Sequence, residues 1–186
     1  MSWIDVIDEQ SAEGELDEIY DRIASERGKV SNIMRVQSLS PKAMEAHLDL
    51  YLSVMFDDSG LTREEREIIA VAVSAANDCP YCIGHHAEAL SAYWGDDQQV
   101  ANFANNPALF DGLDQRQRTL VDYALRLTGQ PSSVSKPAIE ELRAVGLEDD
   151  EILCANLVIG YFNFVNRIAL GLGVEYTEEE MAGYDY

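Results

Sequence analysis

Cys79 and Cys82 are separated by two residues, His86 follows Cys82 by four, and Glu67 precedes Cys79 by twelve. Two thiols three positions apart on a helix are close enough to cycle between a dithiol and a disulfide. An imidazole one turn after the second thiol can take its proton, and a carboxylate can orient that imidazole or accept the proton in turn. A Cys-x-x-Cys pair alone occurs in redox enzymes and in metal knuckles. The added His and the upstream Glu make this set more selective.

The elements that must position these groups are two helices. Thr62 and Glu65 form a capping box, and Ile68, Ile69, Ala72, Val73 and Ala76 recur at helical spacing, which predicts a helix over residues 62–77. A second helix should open around Cys79 and Pro80, with Asn77 or Asp78 as its N-cap, because Pro in a first turn loses no hydrogen bond. Both cysteines then lie at a helix start, where unpaired N–H groups and the helix dipole favour a thiolate. Glu67 is ten residues before Asn77 and His86 nine after it, so in an antiparallel hairpin rising ~1.5 Å per residue they reach nearly equal heights. Facing is not fixed by height, and a solvated Glu67 between Arg66 and Ile68 fits the spacing equally well.

The run from Glu67 through Asn77-Asp78-Cys79-Pro80-Tyr81-Cys82-Ile83-Gly84-His85-His86 resembles the core of the alkylhydroperoxidase D (AhpD)-like proteins, within the carboxymuconolactone decarboxylase superfamily. The stretch from Tyr161 to Val174 is similar to the C-terminal helix of its peroxidase-related branch, and Ser38-Leu39-Ser40-Pro41 and His47-Leu48-Asp49-Leu50-Tyr51 fit that branch too. The resemblance implies an all-α helical bundle and a thiol-dependent peroxidase without a cofactor. Position by position, Cys82 matches the thiol that attacks the hydroperoxide, Cys79 the one that resolves it, His86 the base and Glu67 the relay carboxylate. Family members are oligomers, which implies a homo-oligomer here. One position departs: Tyr81 stands where a His can lie between the cysteines, so the relay is shorter by one member.

Reduction of a hydroperoxide would leave Cys82 as a sulfenic acid that condenses with Cys79, and an external dithiol, from a lipoyl or thioredoxin-like protein, would reset the pair. Alternatives are a general disulfide reductase, a redox sensor whose assembly changes on oxidation, and decarboxylase-type lyase chemistry, which has no use for the cysteine pair. A zinc site could draw on Cys79, Cys82 and His86 with Glu67 or His85, yet structural zinc sites usually add a second Cys or His pair, for which only His47 and Cys154 remain. No metal is therefore expected.

The chain has 186 residues, enough for one domain with a substantial core, here taken as 1–186 with the motif region at 62–94. Its 34 acidic and 13 basic residues give a net charge of −21, which repels nucleic-acid phosphates and anionic membranes. Residues 1–10 carry acids where a secretory signal needs a basic region and an apolar run, so a cytoplasmic protein is expected. In that compartment three cysteines indicate redox or metal chemistry rather than a disulfide framework.

Elsewhere the sequence predicts helix after helix. Leu16, Ile19, Tyr20 and Ile23 mark a first helix ending at Gly28, and Ser40-Pro41 opens a second that runs to about Phe56. Short helices are expected over residues 96–105 and 137–145, and another after Asp114 as far as Gly129. Residues 132–136 read as a loop, 148–170 as a long helix apolar nearly all round between 152 and 165, and 175–186 as an acidic tail with at most one more helical turn. Cys154 reads as a core residue, His47 as a boundary residue and His85 as a surface residue. Asn163, Asn166 and Arg167 could bind a ligand or make polar bonds between helices or subunits.

Overall fold

Thr62 caps the helix that organises the molecule. In the computed structural model, which describes residues 2–58 and 60–177, the Glu65 N–H donates to Thr62 Oγ1 (3.2 Å) and the Thr62 N–H to Glu65 Oε2 (2.8 Å). The helix so started, Arg63–Ala76, is buried at every position from Glu65 to Ser74. Counting in chain order, it is α4. Before it come α1 (Glu15–Arg27), α2 (Asn32–Arg35) and α3 (Pro41–Phe56). After it come α5 (Pro80–Trp94), α6 (Asp97–Asn105), α7 (Gln115–Gly129), α8 (Lys136–Ala144) and α9 (Asp149–Leu172). No strand occurs among the described residues, and the fold is an all-α bundle.

Burial of α4 on all sides follows from two cores that share it. Ile69, Ala70 and Val73 pack with residues of α1, α3, α7 and α9, including Ile23, Leu48, Leu120 and Phe162. Ile68, Val71 and Ala72 pack instead with Leu90, Val100, Phe103 and Val121. Since α4 is fixed from both sides, any side chain it carries inward is held rigidly.

The long helix α9 is apolar and long enough to cross a bilayer, but 56% of that apolar window is buried in the bundle, as in the core helix of a globular domain. Its inner face is Ile152, Ala155, Val158, Ile159, Phe162, Val165 and Ala169, at helical spacing. Burial all round, as the sequence suggested, is not observed. Leu153, Leu157 and Phe164 remain exposed along one stripe.

Other differences have local causes. The four-residue α2 is too short to show periodicity. Part of the expected loop at 132–136 is a 3₁₀ turn at Pro131–Ser133, and Lys136 already belongs to α8. The end of α9 falls two residues later than expected, at Leu172, where Gly173 adopts φ +62° as its cap. Residues 174–177 are not helical, and the remainder of the expected acidic tail lies outside the described residues.

His47 is not a boundary residue but is buried on α3. Its Nδ1 lies 2.7 Å from Gln37 Nε2 and its Nε2 lies 2.8 Å from the Tyr161 hydroxyl, a partner contributed by α9. Burial lowers its pKa from 6.5 to about 4. The unfolded chain therefore binds a proton near pH 6.5 that the folded chain refuses until about pH 4. His47 contributes stability fully above pH 6.5 and loses it as pH falls towards 4, by about 3 kcal/mol in total. Urea midpoints measured across this range should fall more steeply for the wild type than for His47→Gln; parallel profiles would remove His47 from acid sensitivity.

Candidate active site

The turn from α4 to α5 places the thiols. Asn77 closes α4, Asp78 takes a left-handed φ of +50°, and Cys79 is extended at φ −101°, ψ 92°. This makes Cys79 itself the N-cap of α5, rather than Asn77 or Asp78 as the sequence suggested. Asp is among the few residues that tolerate the left-handed region, so a three-residue turn can reverse the chain without glycine. Pro80 follows at the first position of α5.

Cys79 makes no side-chain cap hydrogen bond, but the neighbouring Cys82 thiol and the backbone N–H groups of Cys82 and Tyr81 at the helix start lower its pKa despite burial. The Cys82 thiol is pushed well up by sharing its proton with Cys79 and by burial, opposed by a hydrogen bond from Asn166. Of the two thiols, Cys79 is therefore the one that gives up its proton more readily. Both are free thiols.

Glu67 is fully buried and faces the second helix. Its Oε2 lies 2.7 Å from His86 Nδ1, and its Oε1 accepts from Arg63 Nε at 2.7 Å. The solvated reading of Glu67 is excluded by this burial. Burial alone would raise its pKa, but His86 and Arg63 outweigh it and hold the carboxyl below its ordinary value. Arg63 is in turn stacked on Phe56, 3.9 Å from the ring centre. His86 meets Phe162 edge-on, 4.5 Å between ring centres, and with Nδ1 on Glu67 its Nε2 points away from that carboxylate.

Cys82, His86, Glu67 and Arg63 line one cavity of about 80 Å³, and Cys79 does not. At roughly 10–15 Å³ per water position it has room for a small organic molecule. Its wall includes Ile23, Ile33, Met34, Leu48, Tyr161 and Val165, and also Arg27 and Lys29. Tyr81 lines it as well, and the Tyr81 oxygen accepts from the Ile33 N–H at 3.2 Å. His85 is not a plain surface residue: half-buried, it joins the cavity wall and packs on Tyr81 at 4.6 Å between ring centres. The segment after α9 lies alongside, with the Glu175 backbone carbonyl accepting from Asn32 Nδ2 (3.3 Å) and the Tyr176 ring filling the space a Cβ at Gly84 would need.

Asn166 and Asn163 make polar bonds between helices. Asn77 Nδ2 donates to Asn166 Oδ1 (2.9 Å) and to Asn163 Oδ1 (3.2 Å), and Asn166 Nδ2 donates to Ser74 Oγ (3.2 Å). Asn166 therefore ties the end of α4 to α9 beside Cys82. Arg167 is exposed and, among the described residues, bonds within its own helix, at the Asn163 carbonyl and side chain. Cys154 is buried in the core as expected. Among the described residues no group of three or more His, Cys, Asp or Glu is arranged to hold a metal ion.

Sequence reasoning missed two contributors. Arg63 was signalled by its i,i+4 spacing to Glu67 on one helix. Arg27, from α1, carried no local signal.

Comparison with known proteins bears on the family and the fold. The carboxymuconolactone decarboxylase family matches residues 41–112, the stretch that holds Glu67, Cys79, Cys82 and His86. No curated protein matches the chain. Among solved structures, the alkylhydroperoxidase AhpD core of a peroxidase-related protein from Ralstonia eutropha JMP134 is 27% identical with a TM-score of 0.86, over 97% of this chain and 94% of that one. A peroxidase-related protein from Silicibacter sp. TM1040 is also 27% identical, with a TM-score of 0.81 over 97% and 91%. The debrominase Bmp8 shares the fold at 17% identity, with a TM-score of 0.75 over 98% and 94%.

Proposed function

We propose that this chain, which belongs to the AhpD-like proteins of the carboxymuconolactone decarboxylase superfamily, is a thiol-dependent peroxidase. The observation that carries the reading is geometric. Cys82 is the thiol that lines the cavity, and the His86 imidazole one turn away is backed by a buried carboxylate at 2.7 Å. A base is needed there because Cys79 and burial both raise the Cys82 thiol.

In the proposed reaction His86 takes the Cys82 proton, and the thiolate attacks the terminal oxygen of a hydroperoxide. The O–O bond breaks, an S–O bond forms, and the departing alkoxide takes the proton back from His86 as an alcohol. Cys79 then gives up its proton, its sulfur attacks the sulfenic sulfur as the S–O bond breaks, and the departing hydroxide takes that proton and leaves as water. Net, two thiols and a hydroperoxide become a disulfide, an alcohol and water. A dithiol donor then supplies two electrons and two protons. We further propose that copies of the chain associate, since the exposed Leu153, Leu157 and Phe164 stripe supplies an apolar face.

Steady-state consumption of cumene hydroperoxide should be saturable and should require a dithiol such as dihydrolipoamide or reduced thioredoxin. Absence of turnover with every dithiol, together with a change in oligomeric size on oxidation, would replace the enzyme with a redox sensor.

A further inference from the structure

The cavity beside Cys82 is electrically unlike the rest of the molecule. The chain carries −21 overall, yet among the described residues the cavity wall holds Arg27, Lys29 and Arg63 against one carboxylate, Glu67. That carboxylate is already shared by Arg63 and His86.

Arg27 is the unusual member. It is only 8% exposed. Its polar contact is a long hydrogen bond from Nη2 to the Tyr51 hydroxyl, 3.4 Å, and its guanidinium lies 5.3 Å from the Tyr51 ring centre and 4.7 Å from that of Phe56. No carboxylate among the described residues lies within ion-pair distance of it. The other buried arginine of this region, Arg66, is supplied with the carbonyls of Met55 (2.9 Å) and Asp57 (2.7 Å). A buried guanidinium without a counter-charge is costly, and aromatic faces offset only part of that cost.

We infer that Arg27 binds the anionic group of the substrate, so that the preferred hydroperoxide is a small organic acid with an apolar body. The inference rests on the peroxidase reading for the reaction but not for the binding. An apolar body fits Ile23, Ile33, Leu48 and Val165 on the wall, and a carboxylate on Arg27 would leave the hydroperoxide end for Cys82. The guanidinium can donate two parallel hydrogen bonds to one carboxylate, a geometry that Lys cannot reproduce.

Two measurements test this separately from the reaction. In the first, kcat/KM is compared for cumene hydroperoxide and its para-carboxy derivative. The wild type should prefer the acid by about tenfold or more, as hydrogen bonds to charged groups imply. Arg27→Gln should bring the ratio near one, and Arg27→Lys should keep part of the preference. In the second, para-isopropylbenzoate should protect Cys82 from iodoacetamide in the wild type and fail to do so in Arg27→Gln, while neutral cumene protects neither strongly. Selective protection without turnover of either peroxide would uphold the anion site and overturn the peroxidase reading. Turnover with no preference for the acid and no selective protection would overturn the anion site and leave the peroxidase reading intact. A purely packing role for Arg27 would move stability but not the acid-to-neutral ratio.

Discussion

Cys82→Ser is expected to reduce hydroperoxide consumption to the uncatalysed rate, while Cys79→Ser should stop it after a single turnover. The asymmetry follows from placement. Cys82 lines the cavity, so its loss removes the nucleophile, whereas Cys79 lies behind it as the N-cap of α5. Without Cys79 the first oxygen transfer still proceeds, and Cys82 accumulates as a sulfenic acid that dimedone can trap. Ser at position 79 keeps a hydroxyl but takes no negative charge, so the repulsion from Cys79 that helps raise the Cys82 thiol is lost. The single turnover should therefore be no slower at its first step for want of thiolate. Dimedone labelling of Cys79 in a Cys82→Ser chain, with turnover of the peroxide, would reverse the two roles.

His86→Ala and Glu67→Gln should each slow oxidation of Cys82 by about 10²–10⁴-fold, the usual range for a positioned base. They should differ in stability. His86→Ala leaves Glu67 still paired with Arg63, but Glu67→Gln leaves the Arg63 guanidinium, with a side chain 17% exposed, without its carboxylate. That substitution should cost about 3–5 kcal/mol on top of the kinetic effect. Stopped-flow oxidation of the folded variants, read beside their urea midpoints, separates the two. Near wild-type oxidation rates in both variants would show that His86 and Glu67 hold the helices together and do not move a proton.

What the sequence could show of this site was whatever local rules decide. The α4 capping box at Thr62 and Glu65, the Pro80 start of α5 and the equal heights of Glu67 and His86 all depend on neighbours along the chain, and each is present in the structure. Facing was not local. It is set by Phe162 of α9, which packs on the His86 ring, and by two cores that clamp α4 in one rotation. The N-cap of α5 was misassigned because a left-handed Asp78 leaves no mark in the residue types.

The same distinction separates the histidines. His47 reads as a boundary residue until Tyr161, 114 positions later, meets its ring. His85 reads as a surface residue until the tilted Tyr81 ring packs against it and the cavity opens beside both. Asn166 shows its part only when α9 crosses the end of α4, where it meets Asn77, Ser74 and Cys82 together. Arg27 comes from a different helix altogether, so no spacing rule connects it to the thiols.

The most direct test of the proposed chemistry is one equivalent of cumene hydroperoxide added to fully reduced protein with no dithiol donor, followed by quantification of the alcohol and peptide mapping of the chain. The proposed reaction predicts one equivalent of cumyl alcohol and a loss of two hydrogens, located in an intrachain Cys79–Cys82 disulfide. A reduced protein that retains one zinc per chain, forms no alcohol and loses its thiols only after chelation would contradict it.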